Sequence, residues 1–462
     1  MCSLNEKNAG KWLLDLPVYD GGLFSPLADV GGGLTVEDTE NNSKMQVVRD
    51  TSEVEYDVYL SKLEANGFSL TASHEINGNR YAQYKKENKL VYVYYTEAFK
   101  DVRIIDDTAS VSEDEFEYKY IPKEGETAAV YQYGLMHDVG GNASGKFSGG
   151  KYTCGGNFYI IRLSDNRLII FDGGADSQVT PATFSGLVHF LHEITGTQEH
   201  EKIKVACFFV SHAHGDHYAF FDRLVREYSD HVEVERVMYN IPKEGVPFSP
   251  AYPMFVRLGK MIEEKYPSVK FMKPHTGQDI QIGDARLEIL FTHEDMITAE
   301  TGEQFITEYN SVSTIIRMTI NGTVFMWLGD WGGGGYVESE YKGITDRLFR
   351  SFEKDGEHPY LKSDFVQVAH HAVNTWMDDT FEVIGARVAL VPNSHRDCVK
   401  LAKWYDKVFK GIIMAGAKEM YFAGEKTHGF ILYQDGTMEH HAHPIEGVDE
   451  GYLEMYEAVR KL

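Results

Sequence analysis

The apolar positions change their period about one quarter of the way along the chain. After the possible N-cap Ser52, apolar residues recur at helical spacing: Val54, Val58, Tyr59 and Leu63. Four strand-like segments follow, and the first two flank Asn77-Gly78, a pair typical of a type I′ hairpin. A helix followed by a meander predicts a small α+β module.

From about residue 128 onward, apolar strands alternate with helical segments, which predicts an α/β architecture of sheets covered by helices. We therefore divide the chain into residues 1–127 and residues 128–462. The first part is the α+β module, with a flexible Gly-rich arm before about residue 50 and an acidic linker at 110–126. The second part is the larger α/β domain.

Composition limits the partners more than it defines the fold. The chain has 462 residues and a formal net charge of −25, which disfavours binding to nucleic acid or to an anionic membrane. No window reaches the ~18 consecutive apolar residues of a membrane span, and the N-terminus lacks a secretory signal pattern. We expect a cytoplasmic protein with a small-molecule substrate and without nucleic-acid or membrane partners; a homo-oligomer stays open.

The strongest chemical signal is the string His-Ala-His-Gly-Asp-His at 212–217, directly after the buried-strand segment 205–210. His212 and His214 lie two residues apart and project to one side of an extended backbone, whereas Asp216 and His217 come after a turn. One tetrahedral ion cannot easily use all four side chains. The string therefore predicts two adjacent metal ions.

This string resembles the central motif of the metallo-β-lactamase superfamily, and further pieces occur in that family's order. Phe-Asp-Gly-Gly at 171–174 is similar to its first motif, whose Asp, here Asp172, supports the metal-site loop. The strand end at Asp330 is similar to the position of the carboxylate that bridges both metals. Residues 128–462 therefore resemble a four-layer αββα sandwich. The closest branch includes the hydrolase domains of competence proteins and phosphorylcholine esterases.

The resemblance also implies a ligand set. His212 and His214 would bind the first ion and Asp216 and His217 the second, with Asp330 bridging. The second ion would take one further ligand from His370 and His371, and we favour His370 because it comes first after its strand.

A third His for the first ion has two candidates in the sequence. His293 follows an apolar segment and is preferred over its rival, His275. Loss of this ligand, with solvent or another residue completing the coordination, is an equal alternative.

Two divalent ions held in this way, Zn²⁺ first and Mn²⁺ or Fe²⁺ as alternatives, lower the pKa of a shared water and provide hydroxide near neutral pH. The resulting hypothesis is a hydrolase of a small phosphodiester. The alternative is a hydrolase of lactones, thioesters or amides, and a non-hydrolytic metal-binding or redox protein ranks third. Asp216, Asp330 and Asp172 are the candidate catalytic carboxylates, and the sequence identifies no general acid.

The other histidines receive simpler interpretations. His440, His441 and His443 are interpreted as part of a solvated tail. His428, before the last hairpin, is interpreted as an ordinary residue rather than part of the rim of the site.

Overall fold

The chain is described by a computed structural model. The residues it describes are 10–31, 43–107, 111–134, 156–175, 181–242, 251–303, 309–332, 338–372, 378–393, 412, 415–424 and 426–443. Among these residues, no helix is both long and apolar enough to cross a bilayer.

The N-terminal part is an antiparallel sheet with one long helix against it. Its elements are β1 (Leu23–Phe24), β2 (Ala28–Asp29), β3 (Lys44–Arg49), α1 (Glu53–Ala65), β4 (Ser69–Ile76), β5 (Asn79–Lys86), β6 (Lys89–Thr96) and β7 (Asp101–Asp107). The strand order is β1-β3-β7-β6-β5-β4, with β2 beside β3. The meander and its hairpin at residues 77–78 are therefore as predicted.

Helix α1 begins with a capping box, in which Ser52 and Glu55 each accept a hydrogen bond from the other's backbone N–H. The face that packs on the sheet carries Tyr56, Tyr59 and Leu63. Val54 and Val58, which share the helical spacing, are 73% and 52% exposed. The helix is present where the spacing predicted it, and two of its four spaced apolar residues are buried.

The remaining elements alternate between strands and helices. Through the first half they are α2 (Glu113–Phe116), β8 (Tyr118–Lys119), β9 (Ala128–Gln132), β10 (Phe158–Arg162), β11 (Leu168–Asp172), α3 (Pro181–Thr195), β12 (Ile203–Phe209), α4 (Ala219–Tyr228), β13 (Val232–Val234), β14 (Arg236–Met238), α5 (Ala251–Lys265) and β15 (Lys270–Met272). They continue as β16 (Asp279–Gly283), β17 (Ala285–Phe291), β18 (Ile315–Ile320), β19 (Thr323–Trp327), α6 (Glu338–Phe352), β20 (Phe365–Gln367), α7 (Asp378–Ile384), β21 (Val388–Val391), β22 (Glu419–Phe422), β23 (Thr427–Leu432) and β24 (Met438–His443).

These strands form two mixed sheets. One has the order β15-β14-β12-β11-β10-β9-β23-β24, with β13 beside β12, and the other has the order β22-β21-β20-β19-β18-β17-β16-β8. Their facing sides enclose one apolar core that includes Phe209, Trp327, Phe365 and Phe430. Alternate residues on the outer sides pack with helix residues. This is the predicted αββα arrangement, and the α/β fold class is confirmed.

Three stretches differ from their sequence interpretation. The segment before about residue 50, predicted as a flexible arm, contributes β1, β2 and β3, and β3 pairs with β7. The acidic segment 110–126, predicted as a linker, contributes α2 and β8, and β8 pairs with β16 at the edge of the second sheet. Phe116 of α2 is fully buried in the core between the two sheets. His440, His441 and His443, assigned to a solvated tail, are exposed or half-exposed, but they belong to β24, the edge strand of the first sheet, rather than to a tail.

The N-terminal sheet is joined to the larger part by buried ion pairs. Strand β7 carries Asp101, which pairs with Arg347 of α6 at 2.9 Å. Asp107 at the end of the same strand lies 3.5 Å from Nε2 of His275, whose Nδ1 lies 2.9 Å from Glu294. All five side chains are at most 9% exposed. Removing one partner would leave a buried charge uncompensated, so these pairs fix how the two parts dock.

The same junction brings a backbone against an aromatic ring. Gly277 has a φ of +91°, and a Cβ at this position would lie 1.8 Å from the ring of Tyr81 in β5. Both the backbone conformation and the close approach require glycine here.

Candidate metal centre

The residues of the predicted metal motifs meet where several core strands end. The 212–217 string follows β12, and its last three residues form a short 3-10 turn, Gly215–His217. Asp172 is the last residue of β11, Asp330 follows β19 and His371 follows β20. Strands β11 and β12 are parallel, as are β19 and β20, so each pair ends on the same side.

One cluster consists of Asp216, His217, Asp330 and His371. Nε2 of His217 lies 3.2 Å from Oδ2 of Asp330. Nε2 of His371 lies 3.2 Å from Oδ2 of Asp216 and 3.4 Å from Oδ2 of Asp330. The candidate ligand atoms of these four side chains lie within 4.8 Å of one another, which is close enough for one ion.

A second cluster consists of His212, His214 and the same Asp330. Nε2 of His212 lies 3.0 Å from Nδ1 of His214 and 3.8 Å from Oδ2 of Asp330. Asp330 is therefore shared by both clusters through one oxygen. This is the geometry expected of a bridging carboxylate between two ions.

The buried nitrogens of the clusters fit a cation. Nε2 of His217 and Nε2 of His371 are inaccessible to solvent, and each faces carboxylate oxygens at 3.2 Å without well-aligned hydrogen-bond geometry. Such groups are costly to bury unless something else satisfies them. Imidazole and carboxylate donors together suit Zn²⁺ and other transition metals, so the donor set accommodates two divalent ions.

Asp172 supports the loop that carries the 212–217 string through hydrogen bonds. Its two oxygens accept hydrogen bonds from the backbone N–H of Ser211 at 2.8 Å and from the Ser211 hydroxyl at 3.0 Å. Oδ2 also lies 2.8 Å from Nδ1 of His217, which leaves Nε2 of that ring facing Asp330. A carboxylate on the far nitrogen of a metal-binding His fixes its tautomer and ring orientation. Asp172 itself has a φ of +57°, a strained conformation that often marks a functional site.

Two polar residues that the sequence did not single out support the shared carboxylate and His212. The amide of Asn157 donates to Oδ1 of Asp330 at 3.3 Å, on the oxygen that faces away from the histidines. The hydroxyl of Ser313 accepts from the backbone N–H of Asp330 and lies 3.3 Å from Nδ1 of His212. Their only sequence signal is position: Asn157 directly precedes β10, and Ser313 lies just before β18.

The charges of the clusters are strongly coupled. Burial alone would raise the pKa of Asp330, but His371 and His217 outweigh it and hold that pKa well below its usual value. Burial alone would lower the pKa of His371, but Asp330 and Asp216 raise it to about 9. Burial and the neighbouring imidazoles lower the pKa of His212 well below its usual value. Metal binding requires unprotonated imidazoles, so a divalent ion competes with protons at His371.

The structure separates His370 from His371. His371 is buried in the cluster, whereas His370, which we favoured from the sequence, lies outside it, and the ring centroids of His370 and His371 are 6.0 Å apart. Both residues and Ala372 have φ values near +50° to +62°, so the regular alternation of β20 ends before them. The structure therefore brings His371, and not the preferred His370, to Asp216 and Asp330.

The candidates for a third His on the first ion both lie elsewhere. His293 is buried, and its Nε2 lies 2.8 Å from the Oδ1 of Asn240. His275 is part of the ion pairs at the junction with the N-terminal sheet. Neither belongs to a metal cluster among the described residues. His214 shares a hydrogen bond with the side chain of Asn310.

No protein-family model matches the chain, and no curated protein matches it. Similar solved structures include the metallo-β-lactamase fold protein YhfI from Bacillus subtilis, with 11% identity over 68% of this chain and 99% of that one, and a TM-score of 0.32. Zn²⁺-bound PqqB from Methylobacterium extorquens has 9% identity over 67% of this chain and 99% of that one, and a TM-score of 0.33. CmlA, a diiron β-hydroxylase from Streptomyces venezuelae, has 11% identity over 66% of this chain and 46% of that one, and a TM-score of 0.29.

The two facing sheets, the outer helices and the His/Asp clusters at the strand ends are features of this chain's own structure. Together they make the four-layer αββα sandwich that the metallo-β-lactamase resemblance of the sequence implied.

Proposed function

We propose that this chain is a dinuclear metal-dependent hydrolase of small phosphodiesters, with Zn²⁺ as the first candidate metal. The observation that carries the proposal is the position of Asp330, whose Oδ2 faces His212 on one side and His217 and His371 on the other. A single carboxylate shared by two sets of ligands serves two adjacent ions.

Bound divalent ions would supply Lewis acidity and lower the pKa of water at the site. The protein's own residues supply the positions. Asp172 fixes the tautomer of His217, Asn157 holds the far oxygen of Asp330, and the Ser211 and Ser313 hydroxyls lie near the far nitrogen of His212.

Asp216 differs from the other carboxylates of the site in its exposure. Its side chain is 34% exposed, whereas those of Asp330 and Asp172 are at most 6% exposed. Asp216 can therefore meet a substrate. Burial alone would raise its pKa, but His371 and His217 outweigh burial and lower that pKa, so Asp216 is ionised near neutral pH and acts as a metal ligand rather than as a proton donor.

The choice of a phosphodiester rests on the branch resemblance of the sequence: the strings at 310–318 and 428–436 and the double His370-His371. The same cluster also suits attack on a carbonyl centre, because polarising a carbonyl and polarising a phosphoryl oxygen are alike for a metal ion.

The test is turnover of bis-p-nitrophenyl phosphate beside a panel of lactones and thioesters, with protein reconstituted with Zn²⁺, Mn²⁺ or Fe²⁺. We expect phosphodiester turnover that a chelator abolishes and added metal restores, and that Asp330→Ala eliminates. Asp284→Asn is the matched control, because Asp284 accepts from Ser164 at a turn in the second sheet away from the clusters. Turnover of lactones or thioesters alone would contradict the substrate, and redox activity of an iron-loaded protein without hydrolysis would contradict the reaction class.

A further inference from the structure

Two histidines outside the metal centre converge at the edge of the sandwich. In the pairing of β23 with β24, Phe430 lies opposite His440 and His428 lies opposite Ala442. His428 and His440 are therefore diagonal neighbours on one face of the sheet. Nδ1 of His428 lies 3.2 Å from Nε2 of His440.

This separation is the one that a chelated ion requires. Two nitrogens that each lie about 2.05 Å from a tetrahedral Zn²⁺ are about 3.3 Å apart. The same geometry occurs within the dinuclear centre, where Nε2 of His212 and Nδ1 of His214 are 3.0 Å apart. The edge pair thus reproduces the paired-nitrogen arrangement of the first metal cluster.

The surroundings of the pair join the two sheets. The ring of Tyr421, in β22 of the second sheet, lies 5.0 Å from the ring of His428 and 4.4 Å from the ring of His440. Glu419 lies two residues earlier on the same strand. Its carboxylate accepts a hydrogen bond from the Tyr421 hydroxyl, and its negative charge favours the protonated form of His440. A cation here meets two imidazoles, a nearby negative charge and solvent on its open side.

Both imidazoles are in the form that binds metal. Burial and the neighbouring His440 lower the pKa of His428 to about 4, although its bond with the Phe422 backbone opposes this. Burial also lowers the pKa of His440, against the opposing effect of Glu419. Near neutral pH both rings are unprotonated, so a cation can bind to them without displacing a proton.

We propose that His428 and His440 chelate a further divalent transition-metal ion, separate from the dinuclear centre, at the point where β22 of one sheet meets β23 and β24 of the other. The sheet order places β23 three strands away from β11, which is about 14 Å at the usual spacing. The ion would connect the outer edges of the two sheets. It does not depend on the proposed hydrolysis.

The test is a titration of the untagged chain with Zn²⁺ against a chromogenic chelator, after the dinuclear centre has been filled. We expect one additional ion per chain. His428→Ala and His440→Ala are each expected to weaken this additional site about tenfold or more, because even the loss of an outer partner of a metal ligand costs about 10- to 100-fold in affinity. His441→Ala is the matched control, since His441 alternates to the other face of the exposed strand β24.

A complete absence of additional binding would overturn the proposal, and so would additional binding that survives in both variants. With either result, the contact between His428 and His440 would be only an N–H···N hydrogen bond between neutral rings. The variant Asp330→Ala distinguishes the additional site from the dinuclear centre. It is expected to lower the occupancy of the dinuclear centre and to leave the additional ion in place. Loss of the additional ion in Asp330→Ala, with His428 and His440 intact, would also contradict a separate site.

Discussion

Replacing Asp172 with Asn changes one atom in the support of the metal centre and leaves the shape almost unchanged. Asn also tolerates the φ of +57° found at this position. The carboxylate now accepts from the Ser211 backbone through Oδ1 and faces His217 through Oδ2. An amide has only one acceptor oxygen, so it cannot serve both.

The arrangement that keeps the backbone bond points the amide N–H₂ at Nδ1 of His217. Nδ1 must then accept, and the ring proton moves to Nε2, the atom that faces Asp330 and the candidate second ion. In the reverse arrangement the amide oxygen faces His217. The amide N–H₂ then faces the backbone N–H of Ser211, so two donors point at each other. Either way a buried group loses its partner, at a cost of about 1–3 kcal/mol, and we expect metal affinity at the second cluster to fall about 10- to 100-fold.

The assay is competition of the metal-loaded protein with chelators of graded strength, which resolves the two ions by affinity. We expect the ion at His217 to be lost first in Asp172→Asn and the ion at His212 and His214 to be affected less. Asp284→Asn removes an equivalent carboxylate from a Ser backbone and hydroxyl without a neighbouring His, and it should retain both ions. Unchanged affinity in Asp172→Asn, or an equal loss in Asp284→Asn, would refute the tautomer argument.

Three further changes test other parts of the account. His371→Ala should remove about one ion per chain by emission spectroscopy while His370→Ala retains it, because only His371 lies in the cluster; equal losses would contradict this assignment. Gly277→Ala should lower the free energy of unfolding in urea by at least about 2 kcal/mol, because a Cβ there meets Tyr81 at 1.8 Å and the φ is +91°; a change below about 0.5 kcal/mol would count against it. The pKa of His275 is raised from 6.5 to about 9, since its neighbouring carboxylates outweigh burial. Its contribution to stability is therefore complete below about pH 6.5 and is lost as the pH rises through about 9, on the order of 3 kcal/mol by urea unfolding; an equally steep loss in His275→Gln would contradict that source.

The parts of the site that the sequence predicted are those fixed by local geometry. The 212–217 string lies within one turn after one strand, so its spacing alone brings four side chains together. Asp330 follows a strand whose hairpin is marked by Asn321-Gly322, and its place follows from the sheet. The helix and meander of the N-terminal part were likewise visible from short-range pattern.

The parts that the sequence missed depend on contacts between distant segments. His293 follows a strand as a ligand would, but a 3-10 turn directs its side chain to Asn240, 53 positions earlier. The choice between His370 and His371 depends on left-handed residues that strand alternation does not foresee. Asn157 is an ordinary loop residue until the fold brings it to Asp330, 173 positions later.

The sequence also did not reveal the buried ion pairs that join the N-terminal part to the larger one. Alternation in β7 places charged residues on a buried face, where pattern alone predicts solvent. The partners of Asp101 and Asp107, Arg347 and His275, lie more than 160 positions away. Only the tertiary structure shows that these charges are paired.

A crystal structure of the metal-loaded protein, with data collected at the absorption edge of the bound metal, tests the central claim most directly. We expect two anomalous peaks about 3.5–4 Å apart. One should lie at His212 and His214, the other at Asp216, His217 and His371, with Asp330 between them. A single peak, or a peak that recruits His293 in place of Asp330, would contradict the dinuclear centre.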